Sequence, residues 1–223
     1  MRRLATLDPK YTENIAFYLV GSDPTQTVAV LEQDRQKQGY PWSVAGIGSS
    51  GLRDLHILQQ STKIAIDGNA GWALGDNLMA GKITLTKDAG ASVGSTMRGG
   101  ELFVGGNAGA RAGISMKGGT LIVGGNAGFL TGFMMQKGRI IVCGDVGEAV
   151  GDSMYEGAIY VGGEIGSLGT DAKTEEIGED ELLDILATLG SHGIKQRYTF
   201  TKVVSAKKLY HFDSLERLEK TVI

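Results

Sequence analysis

Residues 105–123 read GGNAGARAGISMKGGTLIV, and residues 124–142 read GGNAGFLTGFMMQKGRIIV. The second stretch is a variant of the first, moved on by 19 residues. A fixed period of this kind has to be recognised before any local reading, because it decides the architecture. Carried in both directions, the register holds over about residues 63–171. One glycine column is Gly71, Gly90, Gly109, Gly128, Gly147 and Gly166. A second is Gly81, Gly100, Gly119, Gly138 and Gly157, and a third is Gly75, Gly94, Gly113, Gly132 and Gly151. A fourth, Gly68, Gly106, Gly125, Gly144 and Gly163, is interrupted only by Lys87.

Apolar residues keep the same period. Ile64, Ile83, Leu102, Leu121, Ile140 and Ile159 form one column, and Ile66, Leu85, Val104, Val123, Val142 and Val161 another, two residues further on. A spacing of two is strand alternation, and short β-branched segments bounded by Gly favour strand over helix. Ala70, Ala89, Ala108, Ala127, Val146 and Ile165 suit a crowded corner; Leu78, Met97, Met116, Met135 and Met154 suit an irregular gap. A 19-residue unit is too short for a pair of helices. It fits one coil of a parallel β-helix, about six to seven coils long, each strand pairing with its equivalent one coil on. The predicted fold class is therefore an all-β core with helical or extended flanks. Each glycine is expected where the chain turns with positive φ or packs without a Cβ. If the Gly109 corner is of the first kind, Gly109→Val is strongly destabilising.

Two further columns bear on function. Asn69, Asp88, Asn107, Asn126, Asp145 and Glu164 precede the Ala-Gly corner, and these residue types read as a ladder of turns tolerating left-handed backbone. A line of metal ligands is the rival, disfavoured because alternate members are amides. Between the two strand columns lie Ala65, Thr84, Phe103, Ile122, Ile141 and Tyr160, which alternation points outward. Four large side chains in register there do not face water. Either the C-terminal tail covers Phe103, Ile122, Ile141 and Tyr160, or a partner subunit does; the candidate partner interface is placed on these four. A second patch is expected from Trp72, Phe129, Leu130, Phe133 and Met134 at the corners.

The flanks lack the period. Residues 1–43 read as an N-terminal arm and cap, with Asp23-Pro24-Thr25 starting a helix over about 25–38 (Val28, Leu31, Arg35) and Gly39-Tyr40-Pro41 stopping it. Residues 44–171 are the β-helix, 44–62 being an imperfect first coil. Residues 172–223 are a tail for capping or partner contact. In it, Glu179 to Leu189 predicts a short amphipathic helix, residues 197–204 a strand or extended arm, and Ser214 through Thr221 a terminal helix after Leu209-Tyr210-His211-Phe212.

Composition narrows the function classes. Of 223 residues 35 are Gly, about twice the usual ~7%, yet only 3 are Pro and no Gly-X-Y triplet runs, so collagen is excluded. With 42% hydrophobic residues and a net charge of −3 the chain is expected to fold, and no basic surplus points to nucleic acid. No apolar run of ~20 residues predicts a membrane span. The first residues lack the apolar core of a signal peptide, and the single Cys143 allows no internal disulfide; both suit the cytoplasm. The glycines match no phosphate-binding loop, because no helix can follow the turn inside a 19-residue coil. His56, His192 and His211 have no ligand partners at metal spacing and read as surface or packing residues. Cys143, next to Val142, is expected to point outward or into a corner, with no oriented His. Glu175-Glu176 and Glu179-Asp180-Glu181 read as solvated acidic faces.

The repeated G-x-x-x-G after G-N-A-G resembles the right-handed β-helix domain that closes the large subunit of glutamate synthase, the GXGXG domain, over about residues 44–171. Gly113-Ile114-Ser115-Met116-Lys117-Gly118, Val142-Cys143-Gly144-Asp145, Gly151-Asp152-Ser153-Met154-Tyr155-Glu156 and Leu209-Tyr210-His211-Phe212 look closer to one branch, the separate β-helix subunit of glutamate-synthase-like complexes such as N-methylglutamate synthase. The resemblance implies a split enzyme. A glutamine amidotransferase-like subunit and a synthase subunit bearing FMN and an iron–sulfur cluster would be the partners, in an obligate hetero-oligomer. This chain would be a scaffold with no catalytic, cofactor-binding or metal-binding residue of its own. One alternative is the β-helix subunit of a formylmethanofuran dehydrogenase-type complex. Another is an independent polymer-binding β-helix enzyme, which would need an acid pair or aromatic row that the outward columns lack.

Overall fold

In the computed structural model of the chain, Ile64 pairs with Ile83, Ile83 with Leu102, Leu102 with Leu121, Leu121 with Ile140 and Ile140 with Ile159, every step parallel and in register. The structure describes residues 63–195 and 199–207, and the backbone of 2–3, 15–19 and 27–32. Its strands are β1 (Arg2–Arg3), β2 (Ile15–Leu19), β3 (Thr27–Glu32), β4 (Lys63–Asp67), β5 (Lys82–Leu85), β6 (Glu101–Val104), β7 (Lys117–Val123), β8 (Lys137–Val142), β9 (Ala158–Val161), β10 (Ala172–Glu175) and β11 (Thr201–Ser205). The one described helix, α1 (Glu179–Ser191), lies between β10 and β11. Strands β4 to β9 are successive rungs of a parallel β-solenoid of about five turns, as the 19-residue period requires.

The inside is dry. Leu85, Leu102, Val104, Leu121, Val123, Ile140, Val142, Ile159 and Val161 are fully buried, as are Met97, Met116, Met135 and Met154. The Ala column forms a second stack, with parallel bridges from Ala70 through Ala89, Ala108, Ala127 and Val146 to Ile165. A third stack, Leu74, Val93, Ala112, Thr131 and Val150, is one that the sequence reading did not single out. Thr131 is tolerated there because its hydroxyl donates to the Gly128 carbonyl at 2.9 Å.

Polar groups hold coil to coil. The Oδ1 of Asn69 accepts from the Asp88 amide, Asp88 from Asn107, Asn107 from Asn126, Asn126 from Asp145 and Asp145 from Glu164, at 2.7–3.1 Å. The predicted turn ladder is thus an inter-coil ladder, and none of its members has positive φ. Left-handed backbone lies in the following turn instead, at Ala73, Ser92, Arg111, Leu130 and Ala149, and at Asn77, Thr96, Ser115, Met134 and Ser153. Such conformations are unfavourable for non-Gly residues, and amide hydrogen bonds to the next coil accompany them, for example Arg111 N–H to Phe129 O at 2.8 Å.

The glycines divide by cause. Gly75, Gly94, Gly113, Gly132 and Gly151 have φ between +66° and +73°, and Gly81, Gly100, Gly119, Gly138 and Gly157 are also positive. Gly71, Gly90, Gly109, Gly128, Gly147 and Gly166 are not. What they need is room: a Cβ on Gly109 would stand 2.7 Å from the Ala91 nitrogen and 2.8 Å from the Gly90 carbonyl carbon. The positive-φ reason offered for Gly109 is therefore corrected to close backbone approach.

Both ends of the rod change from parallel to antiparallel pairing. β3 extends the parallel stack against β4, then β2 pairs antiparallel with β3, and β1 with β2. At the far end β11 runs antiparallel to β9, and β10 covers β11. The predicted helix over 25–38 is corrected: residues 27–32, TVAVLE, form β3. The Gly39–Pro41 stop, the coil at 44–62, His56, His211, residues 209–212 and the helix at 214–221 lie outside the described residues.

Backbone crowding generates a prediction. Gly109→Val is expected to cost about 1–3 kcal/mol or more in urea unfolding, because the neighbouring rung must shift. Gly190, in α1, has no neighbouring group within 4 Å of the place a Cβ would take, so Gly190→Ala is expected to be neutral or to stabilise by up to about 1 kcal/mol.

Candidate interaction surfaces

Alternation turns Phe103, Ile122, Ile141 and Tyr160 out of the solenoid, yet Ile122 and Ile141 are 0% exposed. Helix α1 covers them. Ile185 and Leu189 from the helix, with Phe200 and Cys143, complete a second apolar cluster, flanked by Leu182, Ile177 and Ile194. The four residues proposed as a partner interface are thus the seat of the chain's own helix, which corrects that assignment in favour of the covering tail. Cys143, expected outward or in a corner, is buried under α1. The physical cause lies in the sequence of the helix. Leu182, Ile185 and Leu189 recur at steps of three and four, which is one helical face, and the stripe is a large apolar partner that β10 and β11 hold within reach.

Charged contacts rim this cluster, each tying α1 or β11 to a coil. Arg139 bonds Asp184 and donates to Thr188 Oγ1 at 3.0 Å, while its Nε donates to Thr120 Oγ1 at 3.0 Å. Tyr160 donates its hydroxyl to Glu181, which also receives Lys202 at 2.9 Å. Burial first, and the Glu181 carboxylate second, push the Tyr160 phenol well above its usual range, so it stays a donor. Burial acts to raise Glu181, but the bonds from Tyr160 and Lys202 outweigh it and hold the carboxyl below its usual range.

At the helix C-terminus, His192 is the C-cap. Its ring stacks on Phe103 with centroids 4.1 Å apart, and Nε2 lies 2.8 Å from Glu101 Oε1. Lys82, one rung below, reaches the same oxygen at 2.7 Å. The His192 hydrogen bond, helped by Lys82 and opposed by burial, lowers Glu101 from 4.5 to about 2. His192, predicted as a surface or packing residue, is packed, and its bond to Glu101 is an addition from the structure. The available signal was its position three residues beyond Leu189 on the buried face of α1.

A different wall remains open. It comprises residues 72–80 and their equivalents in later coils. Trp72 is 69% exposed, Phe129 47% and Met134 37%, with Leu130 and Phe133 partly exposed beside them. The Arg111 guanidinium lies over the Phe129 ring, 5.3 Å from its centroid. The second patch read from the sequence is therefore on the surface, though Trp72 sits apart from the rest, over Gly90. Among the described residues, no group of three or more His, Cys, Asp or Glu could hold a metal ion, and no helix is long and apolar enough to cross a membrane.

Residues 43–217 match the GXGXG motif family. The match spans most of the chain and takes in α1 and β11 as well as the coils, further than the 63–171 over which the repeat holds. No curated protein matches the chain significantly. The chain belongs to the GXGXG motif family, which is related to the C-terminal domain of glutamate synthase.

Two outcomes test the helix seat. Leu189→Ala removes a side chain that is 1% exposed and is expected to cost about 2–5 kcal/mol, with amide exchange accelerating in α1 before the coils. Glu101 is lowered in the folded state, so its contribution is present above pH 4.5 and lost as pH falls towards 2. Glu101→Gln is expected to flatten the loss of stability across that window, read as thermal midpoint against pH.

Proposed function

We propose that this GXGXG-family chain is a non-catalytic structural subunit of a flavin-dependent synthase complex of the glutamate synthase type. It would hold a glutamine amidotransferase-like subunit against a synthase subunit carrying FMN and an iron–sulfur cluster. In the more specific form, the complex is an N-methylglutamate synthase, converting methylamine and L-glutamate to N-methyl-L-glutamate and ammonia. The observation that carries the reading is the family match over 43–217, which treats rod and helix as one unit. The engagement of the polar groups rimming the helix seat supports it. Glu101 is held by His192 and Lys82, Glu181 by Tyr160 and Lys202, and Asp184 by Arg139, all in fastening α1 to the coils. Side chains so occupied build a rigid mounting body. Fixing two reacting modules in register can be worth several kcal/mol in rate without contact to substrate.

The test is purification of the tagged chain from native lysate. The expected eluate contains an amidotransferase-like chain and a flavoprotein, shows bound FMN, and forms N-methylglutamate from methylamine and glutamate. Rebuilding the complex without this chain is expected to abolish turnover while the synthase partner keeps its FMN and cluster. Elution without a flavoprotein overturns the reading, and formylmethanofuran oxidation by the eluate transfers the chain to the other complex type.

A further inference from the structure

The open wall carries charge in an order that the repeat does not dictate. Counting from the glycine column that includes Gly109, the exposed Arg111 and the partly exposed Lys117 occupy the second and eighth places of their coil. The next coil is uncharged over its first eight places, with Phe129, Leu130, Phe133 and Met134, and carries exposed Lys137 at its ninth. The coil after that is acidic, with exposed Glu148 and Glu156 at its first and ninth places. None of Arg111, Lys117, Glu148 and Glu156 forms an ion pair within the chain among the described residues. Asp152 differs, since it accepts from Ser153 Oγ and the Thr170 amide. Basic, apolar and acidic rungs thus follow one another at the ~4.8 Å step of a sheet.

We propose that this wall pairs with the same wall of a second copy of the chain, the two rods antiparallel about a two-fold axis through the Phe129–Met134 coil. An axis lying in the wall and perpendicular to the rod leaves each turn position opposite its own equivalent. It exchanges the coil before the apolar one with the coil after. Phe129, Phe133 and Met134 then meet their own copies at the centre. Arg111 faces Glu148 of the second copy, and Lys117 faces Glu156, each one place along the turn from direct opposition. Both pairs occur twice by symmetry, as an isologous interface demands.

Charge selects this arrangement over the other two-fold packing. With the axis parallel to the rod, each coil meets itself, which sets Arg111 beside Lys117 and Glu148 beside Glu156. Like charges in contact disfavour that mode at both flanking coils. The antiparallel one sets four opposite-charge pairs around the apolar centre and leaves one like-charge meeting, of Lys137 with its own copy, one rung from Glu156. The flanking coil on the basic side presents the small Ala91, Ser92, Ser95 and Thr96, and its exposed Arg98 is bonded back to Asn77 Oδ1 of the coil before. The proposal is independent of the assignment to a synthase complex, because it concerns this chain with itself.

Sedimentation velocity of the full chain, from low to high micromolar concentration, reads it. A concentration-dependent dimer is expected. Phe129→Asp should shift the equilibrium to monomer. Arg111→Glu alone and Glu148→Arg alone should each weaken the dimer on the order of tenfold, and the two substitutions in one chain should restore it. Lys117→Glu with Glu156→Lys provides a second, separate swap should the first disturb folding, and circular dichroism checks each variant. A monomer at every concentration overturns the proposal. So does a dimer that tolerates Phe129→Asp, or double swaps that fail to rescue their singles.

Discussion

Every part of this protein depends on one constraint: residue i must lie over residue i+19. The amide of one coil finds its carbonyl in the next, so a coil alone satisfies neither its hydrogen bonds nor its apolar face. The Asx ladder shows how strict the requirement is. Each side-chain oxygen from Asn69 to Asp145 bonds the backbone of its own equivalent one coil later. A one-residue insertion anywhere in a coil would move every subsequent oxygen off its amide. Close stacking also explains why the Gly109 column tolerates no Cβ even though its φ is ordinary: the obstacle is the backbone of the neighbouring coil.

A rod built this way has strand faces that differ in fate. The inward columns are sealed by the coil itself. The outward column is sealed by α1, a segment that does not belong to the repeat and docks across four rungs. Apolar burial supplies the attraction, and the rim contacts at Arg139, Tyr160 and Glu101 supply register, since each meets a particular helix residue. Rod and helix are therefore one folding unit, consistent with a family match that runs through both.

The solenoid was legible because periodicity is a sum over six units, and errors at single positions cancel. The flanks were not, because there each inference rests on one local signal. Asp23-Pro24-Thr25 looks like a helix start, but residues 27–32 are rich in β-branched side chains and face the open edge of β4, and pairing with that edge prevails over the cap. The glycine columns were legible as obligatory but not by cause, since positive φ and close approach select the same residue. The outward stripe was legible as covered. Which element covers it was decided by the short connections from β9 through β10 to α1, information about distance that a column of residues does not contain.

In a repeat protein the consensus specifies the body, and departures from it specify contacts. Arg139 stands where the other rungs have Lys63, Lys82, Glu101, Thr120 and Ala158, and it is the residue that reaches Asp184 and Thr188. Tyr160 ends a column of Phe and Ile, and its added hydroxyl meets Glu181. The wall residues depart from the consensus too: a column of Trp72, Ala91, Ala110, Phe129 and Glu148 varies widely in size and charge, although the solenoid interior behind it does not. Its stacking is served equally by alanine, as Ala91 and Ala110 demonstrate. On the proposed pairing of two walls, each departure answers to the residue it meets on the second copy.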